Sequence, residues 1–166
     1  MARERVYTLP MVWSKTVWAI TLLYYAVAVV VVGVLVYLLF NGAAVAAIVG
    51  LVVSLPVLVG IMIFCEGYSP QRLEISESQV VVLRRYDSIT MPRSTILSIK
   101  PLEPKDMRWT LSVGGCGGLY GYFGSFQNRC LGSFTMYATS MDNLYLITLS
   151  NGRKIVIGCV EPKLLL

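Results

Sequence analysis

The chain has 166 residues, 56% of them hydrophobic, with 14 basic and 9 acidic side chains and no histidine; its mean hydropathy is +0.69. That is about one domain of chain, and it is too apolar for an ordinary soluble domain. The four cysteines, Cys65, Cys116, Cys130 and Cys159, make no C-x-x-C pair, which argues against a zinc site.

Residues 1–15 read as a polar tail carrying Arg3, Arg5 and Lys15. The next charge after Lys15 is Glu66, so the fifty residues Thr16–Cys65 hold no Lys, Arg, Asp or Glu. A membrane-spanning helix takes roughly 20 apolar residues, and this block has room for two. Its turn signal is Asn41-Gly42, near the middle. The pattern predicts helices over about 16–40 and 43–64. A cleaved signal peptide has a shorter apolar core of about 7–15 residues, and a buried soluble hairpin would need a solvated face that fifty uncharged residues do not supply.

Orientation follows from basic residues beside the spans. Arg3, Arg5 and Lys15 precede the first helix, and Arg72, Arg84 and Arg85 follow the second, whereas Asn41-Gly42 is uncharged. Both termini are therefore expected on the cytoplasmic side. Trp13, Trp18, Tyr24 and Tyr25 at one end of helix one, with Phe64 and Tyr68 at the matching end of helix two, suit an interfacial aromatic belt. Ala46, Gly50 and Ser54 form an i, i+4 row of small residues, expected to pack on helix one or on another membrane protein. Pro56 is expected to kink helix two. No ionisable group in either span suggests an ion or proton path.

From 66 to 166 the chain reads as a second unit, of short β-rich runs. They are RLEI, VVVLRR, SITM, ILSIKPL, GSFTMYAT, NLYLITL and KIVIG, with Asn151-Gly152 as a hairpin signal between the last two. About seven or eight short antiparallel strands suggest a small barrel or sandwich. Gly114–Gly124 holds six glycines, with Cys116, Tyr120, Tyr122 and Phe123 among them.

The segment GLYGYFGSFQNRCLGSFTMYATSMDNLYLITLSNGRKIVIGCVEP resembles the C-terminal half of bacterial pleckstrin-homology (PH)-like domains, of the membrane-anchored type with an N-terminal helical hairpin. The resemblance covers about 67–166 and is clearest after Gly117. It implies an α+β membrane protein in which a transmembrane α-hairpin precedes an all-β, strongly bent sheet or barrel. The family's C-terminal capping helix is cut here to EPKLLL, about one turn, so Leu164, Leu165 and Leu166 are expected to fill the barrel mouth or a partner groove. The resemblance also implies a bacterial inner-membrane location.

The glycine run fits no phosphate template. There is no Lys between Asp106 and Arg153, and G-x-G-x-x-G fails at Tyr120. A Cys116 nucleophile would lack a histidine base. Lipid headgroup binding in PH domains uses basic residues beside the first strand-to-strand loop, which here resembles SESQ, without Lys or Arg. The eleven basic and seven acidic residues of 67–166, net +4, favour an anionic leaflet without making a pocket; Arg3, Arg5, Lys15, Arg84 and Arg85 are the candidate lipid contacts. No motif points to nucleic acid, a small-molecule substrate, a metal or a cofactor. The glycine run then reads as a bend, with Tyr120, Tyr122 and Phe123 as candidate protein contacts. The expected function is a non-catalytic, membrane-anchored module that binds a protein partner or its own copies. The alternatives are an accessory subunit of a larger membrane complex and, less favoured, a thiol enzyme using Cys116.

Overall fold

The structure, a computed structural model, describes residues 5–165. Arg3 and Leu166 lie outside the described residues. The N-terminal segment expected as a tail contains a strand, β1 (Tyr7–Pro10), which pairs antiparallel with β2 (Pro70–Ile75) on the far side of the hairpin in sequence. Four residues with one proline carry too little pattern to announce a strand; the partner supplies the ladder.

Helix α1 (Lys15–Phe40) begins at Ser14, whose hydroxyl accepts a hydrogen bond from the Val17 amide at 3.3 Å. It ends at Asn41, whose side-chain amide donates to the Tyr37 carbonyl at 2.8 Å, and at Gly42, held at φ +86°. Only glycine adopts that conformation without strain. Helix α2 (Ala44–Tyr68) runs four residues past the expected end at Phe64. Nothing in Cys65-Glu66-Gly67-Tyr68 stops it until Pro70, which drives Ser69 into the extended conformation (ψ 136°). Pro56 sits within α2, and the helix continues through it. Both helices are long and apolar enough to cross a membrane, and almost none of either apolar span is buried within the protein.

Among the described residues nine further strands follow: β2, β3 (Gln79–Arg84), β4 (Ser88–Pro92), β5 (Ile96–Pro101), β6 (Leu111–Gly117), β7 (Tyr122–Asn128), β8 (Gly132–Ala138), β9 (Leu144–Leu149) and β10 (Lys154–Gly158). They form a four-stranded sheet in the order β1-β2-β3-β4 and a six-stranded sheet in the order β5-β9-β10-β8-β7-β6. The pairing is antiparallel with one exception: β10 lies between β9 and β8 and runs parallel to β8. The β9–β10 hairpin expected at Asn151-Gly152 is present, and its second strand occupies the slot beside β8.

The inner strands β7–β10 of the six-stranded sheet are buried on both faces. One face, with Phe123, Tyr137, Ile147, Ile155 and Ile157, packs on Leu73, Ile75, Val80, Val82 and Met91 of the four-stranded sheet. The other, with Tyr122, Phe126, Phe134, Met136 and Val156, is covered by Val17 and Trp13 at the start of α1 and by Leu102 and Met107. Side-chain alternation along β7, β8 and β10 sends neighbouring residues into different cores. The terminal turn α3 (Pro162–Leu165) places Leu165 in the first core, fully buried. The Arg93 guanidinium fastens it, donating to the Leu165 carbonyl at 3.0 Å and the Leu164 carbonyl at 3.1 Å.

Candidate functional site

Gly114–Gly124 is not a single bend. It is the end of β6, a tight turn, and the start of β7. Gly115 pairs with Gly124 across the hairpin, at φ +137° and +106°. A Cβ on Gly115 would stand 2.1 Å from the Phe123 carbonyl oxygen, and one on Gly124 would stand 2.3 Å from that of Gly114. The strands cross at a separation that excludes any side chain at these two positions.

The turn ends against α1. A Cβ on Gly118 would lie 2.5 Å from the Ile20 Cδ1 atom. The Tyr120 amide donates to the Thr21 hydroxyl at 3.2 Å, and the Tyr120 carbonyl accepts from the Ser69 hydroxyl at 2.5 Å. The Tyr120 and Tyr25 hydroxyls hydrogen-bond each other, and the Trp13 ring meets the Tyr120 ring edge-on at 5.3 Å. Burial, reinforced by the Tyr25 hydroxyl, pushes the Tyr120 phenol well above its usual range, so it stays a neutral hydrogen-bonding group. Around this joint the Ser14 amide donates to the Thr139 carbonyl at 2.9 Å, and the Thr139 hydroxyl donates to Val12 at 2.9 Å. On the α2 side, Glu66 pairs with Arg85, and Gly67 leaves the space that the Tyr86 ring enters. Both ends of the hairpin are thus tied into the sheets.

The expected contact residues divide accordingly. Tyr120, Tyr122 and Phe123 are all buried: Tyr120 and Phe123 in the first core and Tyr122 in the second. As docking residues they are corrected to core: Tyr122 and Phe123 alternate onto opposite, covered faces of the sheet, and Tyr120, in the turn, is held against α1 by Thr21 and Tyr25. Leu165 is core, and Leu164 is partly buried against it. Arg84 is corrected too. Its side chain is 10% exposed, paired with Asp87 at 2.5 Å and held between the Tyr68 and Tyr137 rings at 5.4 and 5.2 Å. A guanidinium so enclosed cannot reach a lipid headgroup. Arg85 is exposed but paired with Glu66, while Arg5 and Lys15 are exposed.

On α2, Gly50 and Ser54 face the hairpin seam, where a Cβ on Gly50 would meet Leu35 Cδ2 at 2.7 Å. Ala46 points outward, and the buried small residue of this seam is Ala47. The helix has small residues on both faces, and only the position of α1 selects the phase.

The Cys116 thiol donates to the Leu119 carbonyl at 3.2 Å and lies beside the Cys65 thiol; all four cysteines are free. The chain has no histidine to serve it as a base. Among the described residues, no cluster of three or more His, Cys, Asp or Glu side chains could hold a metal ion.

A family model described as "Bacterial PH domain" matches residues 71–165, more than half of the chain. No curated protein and no solved structure matches.

Proposed function

The chain belongs to the bacterial PH domain family, and from that premise we propose that it is a membrane-anchored, non-catalytic module that binds a protein partner at the cytoplasmic face of a bacterial inner membrane. One observation carries this reading: the Gly118–Gly121 turn is wedged against α1 while Glu66, Gly67 and Ser69 tie α2 to the same domain. A domain fixed in this way is presented at one height and one orientation. Helices of 26 and 25 residues at about 1.5 Å per residue exceed a hydrocarbon core of about 30 Å, leaving the first turns of α1 to pack on the domain.

The exposed basic residues Arg5, Lys15 and Arg72 all lie on the domain side of the hairpin, and the Asn41-Gly42 connection has none. This supports a cytoplasmic domain and adds attraction to an anionic leaflet of about 1 kcal/mol per well-placed side chain. The bonding of Cys116 to a carbonyl supports a non-catalytic role.

An accessory-subunit reading draws on a cleft between the helices, lined by Ala28, Val32, Gly33, Leu55 and Val59 without polar surface. It would accept a further transmembrane helix.

The orientation is tested on Cys130, which is exposed. An impermeant maleimide should modify it in inverted vesicles and not in intact spheroplasts; modification from outside would overturn the topology. Purification in mild detergent separates the two functional readings. Recovery only as a monomer or homo-oligomer counts against the accessory subunit.

A further inference from the structure

The two sheets leave four outer strands: β1 and β4 in one, β5 and β6 in the other. Free edges invite pairing, and proteins guard them with proline and lysine. β1 ends in Pro10, β4 in Pro92, and β5 in Lys100 and Pro101. β6, with the sequence LSVGGCG, has neither proline nor charge. It instead exposes Leu111 (70%) and Val113 (68%), preceded by Trp109 (80%).

Trp109 is held outward by its backbone. Its φ is +57°, a left-handed conformation rare for a bulky side chain. The chain is pinned on either side of it: the Thr110 hydroxyl donates to the Met107 carbonyl at 2.8 Å, and the Asn128 side-chain amide donates to Asp106 and Thr110 at 2.8 and 3.1 Å. A β-bulge between Ser112 and Gly114 makes Val113 the extra residue and lets Leu111 and Val113 line one groove with Trp109, Gln127 and Arg129. The groove continues from Val113 across Ser125 and Thr135 to Arg153. Among the described residues lining it, none is acidic.

We propose that the free edge of β6 and this groove receive an extended, acidic segment of a partner protein as an added strand. The inference rests on the protein-binding reading above and names its surface and the chemistry of its partner. The unpaired amides and carbonyls of an edge strand supply main-chain hydrogen bonds. Leu111, Val113 and Trp109 take apolar side chains at alternate positions. Arg129 and Arg153, both exposed, face the partner's carboxylates. The position suits a soluble segment, since the seven residues of β6 at about 3.3 Å each place Leu111 about 20 Å from the turn that abuts α1.

The test is photocrosslinking of the full chain in cell membranes. Benzoylphenylalanine replaces Leu111 in one variant and Leu97 in a control, Leu97 being 69% exposed on β5 at the opposite edge of the same sheet. Adducts are mapped by mass spectrometry. The expected result is an adduct from position 111 to a net-negative segment of another protein, about tenfold above position 97. It should fall about tenfold in the R129E/R153E double variant and at 0.5 M salt. The salt arm stands if the double variant fails to fold, which its tryptophan-fluorescence melt reports. An adduct only to lipid, to a second copy of this chain, or to a neutral or basic segment overturns the proposal. So do equal yields at 97 and 111, or a yield insensitive to salt. Adducts confined to position 97 sink the edge and leave the protein-binding reading intact; no adduct at either position counts against both.

Discussion

In α1 and α2 the fully buried residues are few, chiefly Val17, Thr21, Ala47, Cys65 and Gly67, and Leu, Val and Ile side chains cover the outside. In the sheets the same residue types are inside, and two cores share one sheet between them. The contrast is the one that the proposed membrane hairpin implies, with lipid as the solvent of the helices and water that of the sheets. Water drives the sheets together by the apolar surface they hide. A helix pair whose outer surface is apolar gains nothing by hiding more, and its association depends on close fit along a seam of small residues.

The largest expected effect breaks the water-driven half. Gly115→Val would push a side chain into the Phe123 carbonyl at a φ of +137°. Backbone strain and overlap together should cost more than about 4 kcal/mol. The domain should lose its cooperative melt by circular dichroism while the hairpin's helical signal remains. A retained melt would mean that the strands separate more easily than their crossing implies.

A smaller effect sharpens the helical half. Gly50→Leu presses on Leu35, whereas a Cβ on Gly60 meets nothing within 4 Å. Gly50→Leu should weaken the seam by about 1–3 kcal/mol, and Gly60→Leu should be silent. Paired spin labels on α1 and α2 read the difference as a wider distance distribution in the first variant alone. Equal broadening would move the seam to another face.

The smallest effect is chemical. Burial pushes the Cys159 thiol above its ordinary pKa, with the Glu161 backbone a lesser influence in the opposite direction. Less thiolate is then present at any given pH. At pH 8 Cys159 should alkylate about tenfold or more slowly than exposed Cys130. The gap should narrow as pH rises and vanish in denaturant. Comparable native rates would show that the end of the sheet beside α3 opens readily.

Much of this was legible in the sequence, because it depends on patterns local to the chain. An uncharged run of fifty residues with one Asn-Gly break gives two helices, and Asn151-Gly152 gives a hairpin. What was hidden depends on partners distant in sequence. β1 exists because β2 returns to it after the hairpin, and β10 runs beside β8 because β9 leaves a slot. Tyr120 and Phe123 read as display residues until two sheets and a helix close over them. Arg84 read as a surface cation, but Tyr68 and Tyr137, from distant elements, enclose it. Local pattern reports amphipathicity, whereas the side that becomes interior is decided by what arrives to cover it.

The glycine turn against α1 has a mechanical consequence. A hairpin that crosses a bilayer tilts to match its thickness, and, if this one crosses as proposed, a domain clasped at Thr21, Tyr25 and Ser69 would tilt with it. Swung through about 10° on an arm of about 20 Å, the Trp109 end of β6 travels roughly 3–4 Å sideways, about one residue's rise along a strand. Membrane thickness would thereby set the position at which that edge meets its surroundings.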